Sequence, residues 1–412
     1  MTLNDSFQTA LAGLQTNKSR SALTILGIVI GITAIILVMS VGQGAEDLIL
    51  NQIRGLGSQT VIIEPGREPT GPSSFAELFT DSLKQKDVDA LLNPSNVQGL
   101  QDLTPAVMQV VPVTFENETI RTNVIGASDL IAKILDIFPR EGAFFTDDDI
   151  RQKASVAVIG SEVKNKLFGP SDALGEKIKV KGRTFRIVGI LPPKGQVALF
   201  NADDMVVVPY TTAQQYLAGI NHFNAIMIRA ESEDIVPRVV RDIELTLRET
   251  HGIDDPDKDD FHVTTQADAA ERVQTVTGIL SVLLVSVAAI SLVVGGIGIM
   301  NIMLVSVSER TREIGLRKAL GATENDIMTQ FLLEAVMLTA LGGIVGIILG
   351  AAFSFLASLI LSRVLALGWA FTFPVFAAIL GLGVAGLVGL VFGLYPARQA
   401  SLKSPMEALR YE

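Results

Sequence analysis

Four long apolar runs divide the chain. They are Leu23–Val41, Leu280–Val307, part of Ile327–Leu361, and Phe373–Leu394. Each contains about 20 mainly apolar residues, which is the length that an α-helix needs to cross about 30 Å of hydrocarbon. Between the first two runs, apolar and polar residues instead alternate in short stretches. The pattern predicts an α-helical membrane protein with four transmembrane helices and a large α+β domain of two lobes between helices 1 and 2.

The loop domain contains short periodic stretches. Alternation in period two around Gly182 predicts a hairpin of Lys177–Val180 and Thr184–Leu191. Further strands are predicted at Met205–Pro209 and Phe261–Thr265, and an amphipathic helix at Val236–Thr250.

Pattern and charge together give these boundaries: amphipathic helix 1–20, transmembrane helix 1 at 21–44, loop domain 45–275, helix 2 at 276–307, a charged helix 308–322, helix 3 at 323–361, helix 4 at 373–395 and a tail 396–412.

Two of the membrane helices have marked ends. Helix 2 is predicted to begin near Asp268, well before its apolar part, so that it would be about 60 Å long at 1.5 Å per residue. A helix of that length would connect the loop domain rigidly to the opposite membrane face. Helix 4 is predicted to end at Tyr395 and Pro396, because proline disrupts a helix interior.

The charge distribution predicts the orientation. Apolar residues make up 49% of the chain and charged residues only 18%, below the ~25% typical of soluble proteins. Residues 45–275 carry 35 acidic and 23 basic side chains, a balance of −12. The short loops and tails instead carry basic residues: Lys18, Arg20, Arg310, Arg312, Arg317, Lys318, Arg398, Lys403 and Arg410. Basic loops stay in the cytoplasm, so we expect a bacterial inner-membrane protein with both termini cytoplasmic and the large domain outside.

The segment Ser308–Leu320, called the charged segment below, has a pattern of its own. Burying its four basic residues in hydrocarbon would cost on the order of 10 kcal/mol, which places it in a solvent-exposed loop. Glu309→Arg312 and Glu313→Arg317 have favourable helical spacing. An apolar side is predicted from Ile314, Leu316, Ala319 and Leu320. Gly315 inside this helix indicates close packing, Gly321 should end it, and Thr323 with Asp326 should cap the next helix. The alternative is a solvated loop.

Several residues inside the membrane runs need an explanation. Gly27 and Gly31, with Gly295 and Gly296, have the small side chains that let helices approach closely, in one chain or between two copies. Glu334 is an acid within helix 3, about two turns from its inner end. It is a functional candidate by default, although a role in packing or at the interface is favoured.

Catalytic and metal sites find little support. The three histidines, His222, His251 and His262, lack the spacing of metal ligands. The run that begins at Asp255 starts like a calcium loop but lacks its glycine and final glutamate, so a solvated acidic turn is expected. The chain contains no Gly-x-x-x-x-Gly-Lys-Ser/Thr loop for nucleotide phosphates and no Gly-x-Ser-x-Gly motif. We therefore expect no bound cofactor, no metal and no enzymatic activity in this chain by itself.

Four stretches carry a family resemblance. Gly295–Ala322 resembles the segment that joins the second and third membrane helices in the MacB/FtsX-type family of ABC transporter permeases. Thr16–Val29 (TNKSRSALTILGIV) resembles the family's entry into helix 1. Arg140–Asp149 (REGAFFTDDD), with Val156–Gly160, resembles the MacB-type periplasmic core domain. Tyr395–Glu412 (YPARQASLKSPMEALRYE) is similar to the family's C-terminal signature.

The resemblance implies a function and partners. The charged segment becomes a coupling helix that docks on an ABC ATPase, through Glu309, Arg310, Arg312, Glu313, Gly315, Arg317, Lys318 and Gly321. The resemblance implies a homodimeric permease that exports a drug, peptide or similar substrate by mechanotransmission. Its expected partners are an adaptor of the membrane-fusion type and the lipid bilayer, and no nucleic acid is expected. The missing phosphate loop places ATP and Mg²⁺ on a separate ATPase dimer. The alternatives are a lipoprotein-releasing permease and an FtsX-like activator of a cell-wall hydrolase.

Overall fold

The structure, a computed structural model, describes residues 18–55, 57–67, 81–197, 200–364, 369 and 371–406. These residues form two compact units. The helical unit contains the described residues up to Leu48 and from Gln274 onward, and the sheet unit contains those in Ile49–Val273. Most of the predicted amphipathic helix 1–20 lies outside the described residues.

The described helices are α1 (Lys18–Arg54), α2 (Gln85–Leu91), α3 (Ile131–Ile134), α4 (Asp147–Arg151), α5 (Ser161–Phe168), α6 (Tyr210–Thr212), α7 (Val236–His251), α8 (Gln266–Glu309), α9 (Thr311–Ala319), α10 (Glu324–Val364) and α11 (Val375–Ser401). The described strands are β1 (Thr60–Pro65), β2 (Leu100–Phe115), β3 (Glu118–Ala127), β4 (Glu141–Gly142), β5 (Val156–Ile159), β6 (Lys177–Val180), β7 (Arg183–Ile190), β8 (Gln196–Val197), β9 (Phe200–Asn201), β10 (Met205–Pro209), β11 (Ala225–Ala230) and β12 (Phe261–Thr265). A π-helical turn, Ala213–Ala218, follows α6.

Four of the described helices are long and apolar enough to cross a membrane, as predicted. They are α8, α10, α11 and the part of α1 from Ile25 to Arg54. Helix α8 is one uninterrupted helix of 44 residues. At 1.5 Å per residue it is about 66 Å long, roughly twice the thickness of the hydrocarbon layer.

Glycines of α10 allow α1 to pack closely against it. A Cβ atom placed on Gly346 would lie 2.9 Å from Ile32 Cβ, and one on Gly350 would lie 2.7 Å from Ile36 Cβ. Both isoleucines are completely buried. A hydroxyl adds to this contact, because Thr33 Oγ1 donates to the carbonyl oxygen of Gly346 at 3.1 Å. Glycines four residues apart on one helix therefore face isoleucines four apart on another, as small residues commonly do in membrane helix pairs.

Helix α11 does not end where the sequence predicts. It continues through Pro396 to Ser401, so the predicted end at Tyr395 is wrong. Proline removes one backbone hydrogen bond and costs about 3 kcal/mol in a helix interior. Pro396, Ala397 and Ala400 are buried, and the packing of this last turn offsets that cost.

The sheet unit is built around one long strand. The main sheet has the order β12-β1-β11-β2-β3-β10-β5-β7-β4, and β6 pairs with both β2 and β7. The first part of β2 pairs with β11, up to Ala106, and the part from Val107 onward pairs with β3. The sheet continues through β2 from one half to the other, and a division of this domain into two lobes stays a prediction.

Most predicted strands are present with nearly the predicted bounds. The predicted hairpin is β6 and β7, with Lys181 and Gly182 in the left-handed backbone region at its turn. Strands β10 and β12 have the predicted ends. Strand β2 contains Pro105, which pairs with Ile226 in the sheet although proline has no N–H to donate.

Candidate functional site

The charged segment contains a break and a short helix. Helix α8 ends at Glu309, and α9 begins at Thr311. The buried Thr311 hydroxyl donates to the carbonyl oxygens of Val307 at 3.0 Å and Ser308 at 2.8 Å. A helix end leaves carbonyl groups without intrahelical donors, and this hydroxyl supplies one. Ser308 and Glu309 therefore belong to α8 rather than to the short helix predicted for the charged segment.

The end of α9 and the start of α10 follow the predicted signals. Gly321 has φ +101°, in the region that favours glycine. The Ala322 N–H donates to the Arg317 carbonyl at 3.1 Å, which is the six-to-one bond of a Schellman motif. The Thr323 N–H then donates to Asp326 Oδ2 at 2.9 Å, and the Asp326 N–H donates to Thr323 Oγ1 at 3.2 Å. This capping box satisfies two backbone donors of α10.

Arg310 contacts Glu334, the acidic residue within the apolar run of predicted helix 3. Its Nη1 lies 3.3 Å from Glu334 Oε2 and 3.4 Å from Oε1. Glu334 is only 5% exposed. A carboxylate that is nearly buried requires a partner, and the residue between α8 and α9 provides it. The interaction supports the interpretation of Glu334 as a packing residue.

Two more basic side chains of α9 bind groups of the helical unit. Arg317 Nη1 donates to Gln330 Oε1 at 2.8 Å, and its other nitrogen pairs with Glu313, as the spacing predicts. Lys318 Nζ donates to the carbonyl oxygens of Ser401 and, at 3.0 Å, of Lys403. These carbonyls lie at the end of α11, where free acceptors remain. Three of the four basic residues of the charged segment thus connect it to α10 and α11.

The opposite side of the segment is exposed and partly apolar. Leu316 is 53% exposed and Leu320 is 81% exposed. We define the outer face by these two leucines with the exposed residues Glu309, Arg312 and Glu313. The apolar side predicted from Ile314, Leu316, Ala319 and Leu320 is divided in the structure, because Ile314 is buried and the other three are exposed. The long basic side chains occupy the inward side, and the leucines remain outside.

The structure therefore divides the predicted coupling residues. Arg310, Arg317 and Lys318 contact α10 or α11, whereas the outer-face residues point to solvent. Gly315 is buried, and Gly321 ends the helix. Contact of any of them with an ATPase stays a prediction. Nothing in the sequence identified Gln330, Ser401 and Lys403 as the partners, because they lie 13 to 85 positions from the side chains that bind them.

The four glycines singled out in the membrane runs lie at helix contacts within the chain. A Cβ atom on Gly27 would lie 2.9 Å from Gly295 Cα, and one on Gly31 would lie 2.9 Å from Leu292. A Cβ atom on Gly296 would lie 2.3 Å from the Phe392 ring. These contacts join α1 to α8 and α8 to α11. A role for the same glycines between two copies stays a prediction.

One histidine of the sheet unit lies between two carboxylates. His251 Nδ1 is 2.6 Å from Asp260 Oδ1, and Nε2 is 3.2 Å from Oδ1 of the fully buried Asp87. Asp87 and Asp260 together raise the pKa of His251 above its usual value, Asp87 having the larger effect. Arg248 also binds both oxygens of Asp259, at 2.7 to 3.1 Å. The sequence predicted a solvated acidic turn, but the structure pairs part of this turn with α7.

Comparison with known families gives two matches. The family described as the MacB-like periplasmic core domain matches residues 21–245. The family described as the FtsX-like permease C-terminal domain matches residues 285–405, which contain the whole charged segment. Residues 246–284 separate the two matches, which together include the candidate membrane helices of α1, α10 and α11 and the part of α8 from residue 285 onward.

Several known proteins align with this chain over its whole length. A protein of Bdellovibrio bacteriovorus named macrolide export ATP-binding/permease protein MacB is 38% identical over 100% of this chain and 61% of its own length. A protein of the same name from Wolinella succinogenes is 35% identical over 100% of this chain and 61% of its own length. The chain thus spans about three fifths of these curated relatives. The solved periplasmic region of MacB from Actinobacillus actinomycetemcomitans aligns with TM-score 0.46 and 21% identity, covering 55% of this chain and 97% of that one.

Proposed function

This chain belongs to the MacB/FtsX-type family of ABC transporter permeases, and we propose that it couples ATP hydrolysis to the export of a drug, peptide or similar substrate. In this proposal an ABC ATPase dimer binds ATP and Mg²⁺ and docks on the outer face of the charged segment. The ATPase is not part of these 412 residues. The chain itself contributes no phosphate-binding loop. Purified alone, it is expected to hydrolyse no ATP.

The outer face carries the proposal. Leu316 and Leu320 are 53% and 81% exposed and lie about one helical turn apart, in α9 and just after it, so they form one small apolar surface. Exposed charges flank them, so the surface has the apolar centre and polar rim of a protein interface. Three of the four basic side chains that the family resemblance first suggested as contacts, Arg310, Arg317 and Lys318, have partners within the chain. We therefore assign contact with the ATPase to Leu316, Leu320 and the charges beside them, Glu309, Arg312 and Glu313.

The inward contacts give the proposal its mechanism. Arg310 is paired with Glu334 of α10, and Lys318 binds carbonyl oxygens at the end of α11. A push on the charged segment would therefore move α10 and α11 together with it. Helix α8, which ends at Glu309, is uninterrupted back to Gln266 at the edge of the sheet unit. A continuous helix transmits displacement along its axis, and on this basis motion reaches the sheet unit without a polar path through the membrane.

The remaining partners follow from the same proposal. We propose that the chain lies in a bacterial inner membrane, with both termini in the cytoplasm and the sheet unit on the other side. Two copies of the chain would face the two ATPase subunits, and an adaptor of the membrane-fusion type would bind the sheet unit. The names of the two relatives, which describe macrolide export, support export over lipoprotein release or activation of a hydrolase.

Substitution of the outer leucines tests the docking surface. Leu316→Asp with Leu320→Asp is expected to abolish co-purification with the ATPase and the stimulation of its activity, because it removes the apolar centre of the interface. Leu402→Asp is the matched control, since Leu402 is 59% exposed but lies outside the outer face. Unchanged binding by the double variant would refute the proposed surface, and equal loss in the control would indicate a general defect.

A further inference from the structure

The sheet unit contains a cavity of about 520 Å³. One wall is the sheet, with Ile62 of β1 and Met227 of β11. The other wall consists of helix ends that belong to the same unit, with Ile53 from α1, and Ala269 and Val273 from α8. Its volume is within the range of about 300 to 1,000 Å³ that is usual for small-molecule sites.

Apolar side chains form most of this cavity, and several are more exposed than core residues. Met227 is 1% exposed and Ile53 is 9% exposed, so the deep part of the cavity is rigidly packed. Ile62 and Val273 are only partly buried, and Ile49 is 36% exposed. An apolar molecule in the cavity would cover the exposed parts of these side chains, which is the main source of affinity in such sites.

Half of the residues that line the cavity are polar or charged, although most of its surface is apolar. Among the described residues, the Thr264 hydroxyl is buried without a hydrogen-bond partner. Two other polar groups are paired: Asn224 Oδ1 accepts from the Met108 N–H at 2.8 Å, and Glu64 Oε2 lies 3.0 Å from His262 Nε2. A buried polar group without a partner is unfavourable, so a ligand that supplies one would be favoured at Thr264, where rotation of the side chain brings the hydroxyl into the cavity.

We infer that this cavity binds a small amphipathic organic molecule. Its apolar body packs between Ile53, Ile62 and Met227, and its single polar group hydrogen-bonds the Thr264 hydroxyl. The inference concerns binding by this chain without an ATPase, and it does not rest on the outer face. Failure of one proposal would leave the other intact.

Introduced thiols test the site, because the chain contains no cysteine. Ala269→Cys places a thiol in the cavity wall, and Ala267→Cys places one on the exposed side of the same helix as the matched control. The full chain in lipid nanodiscs is reacted with monobromobimane, with and without N-phenyl-1-naphthylamine as the probe. At ten times its Kd the probe is expected to slow the reaction of Ala269→Cys about tenfold by mass action, and to leave Ala267→Cys unchanged.

Three results would overturn the inference. The first is no protection at either position. The second is equal slowing at both positions, through partition of the probe into lipid. The third is a thiol in Ala269→Cys that is unreactive without the probe, because another protein segment or a lipid fills the cavity. Thr264→Val tests the polar contact. It is expected to raise the Kd of the probe about two- to tenfold, the usual range for one neutral hydrogen bond, without lowering thermal stability. An unchanged Kd would refute the role of the hydroxyl.

Discussion

Arg310 and Glu334 form an ion pair at 3.3 Å, although they are 24 positions apart in the chain. Arg310 lies between α8 and α9, and Glu334 lies in α10. The pair thus joins three helices at one point. It explains how a carboxylate that is 5% exposed is accommodated in an otherwise apolar helix.

Removal of this cation should destabilise the chain. Arg310→Met leaves the buried Glu334 carboxylate without its partner, and the free energy of unfolding is expected to fall by about 3 kcal/mol. The double variant Arg310→Met with Glu334→Leu should recover most of the loss, because an apolar pair can replace a buried ion pair. Thermal unfolding in detergent measures both effects.

Arg312→Met is the control for this experiment, since Arg312 is exposed. It is expected to unfold at the wild-type temperature. If Arg310→Met also unfolded at that temperature, the ion pair would contribute nothing to stability.

The close packing of α1 on α10 can be tested with single methyl groups. Gly346→Ala would place its Cβ 2.9 Å from Ile32 Cβ and 3.0 Å from the Val29 carbonyl oxygen, and neither atom is the end of a flexible side chain. Stability is expected to fall by about 1 to 3 kcal/mol. Gly386→Ala is the matched control in α11, where a Cβ meets nothing within 4 Å. It should raise stability by up to about 1 kcal/mol through helix propensity.

The result is read from chemical or thermal unfolding of the three chains under the same conditions. Equal behaviour of the two variants would show that α1 and α10 are not in the close contact described here.

His251 should make the stability of the sheet unit depend on pH. Asp87, and to a smaller extent Asp260, raises the pKa of His251. A raised pKa means that the imidazolium form stabilises the fold fully below its unfolded pKa of about 6.5, and that this contribution is lost as pH rises through the folded-state pKa. The wild-type chain is therefore expected to be more stable at pH 6 than at pH 9.

His251→Gln removes this titration, so the difference between pH 6 and pH 9 should shrink. Unfolding midpoints in denaturant at both pH values measure it. An unchanged difference in the variant would mean that another group is responsible.

Lys318 should hold the end of α11 in place. Its ammonium group donates to the carbonyl oxygens of Ser401 and Lys403, so Lys318→Met leaves two acceptors at a helix end without this donor. Limited trypsin digestion of the membrane-embedded chain is expected to cleave after Arg398 and Lys403 faster in the variant. Arg312→Met serves as the control and should be cleaved at the wild-type rate there. Equal rates in all three chains would contradict the role of Lys318.

Features that depend on neighbouring residues could be predicted from the sequence. Thr323 and Asp326 are three residues apart, so their mutual capping bonds follow from local geometry. Gly321 could be identified as a helix end for the same reason. The four membrane helices follow from the length of their apolar runs, which needs no knowledge of the fold.

Contacts between distant residues could not be predicted in this way. Lys318 and Ser401 are 83 positions apart, and only the packing of α9 on α11 brings them together. Packing in the helical unit also kept α11 helical through Pro396, against the local signal of the proline. Tertiary contacts outweigh local preferences of a few kcal/mol, so the predicted end of helix 4 was wrong.

The central claim is that an ABC ATPase contacts the outer face of the charged segment. Site-specific photocrosslinking in native membranes tests it most directly, with p-benzoylphenylalanine placed at Leu316 in one chain and at Leu402 in another. If the ATPase docks there, Leu316 gives a crosslinked product that contains an ABC ATPase by mass spectrometry, and Leu402 gives none. A crosslink to the ATPase from Leu402 alone, or from neither position while the ATPase still co-purifies, would contradict it.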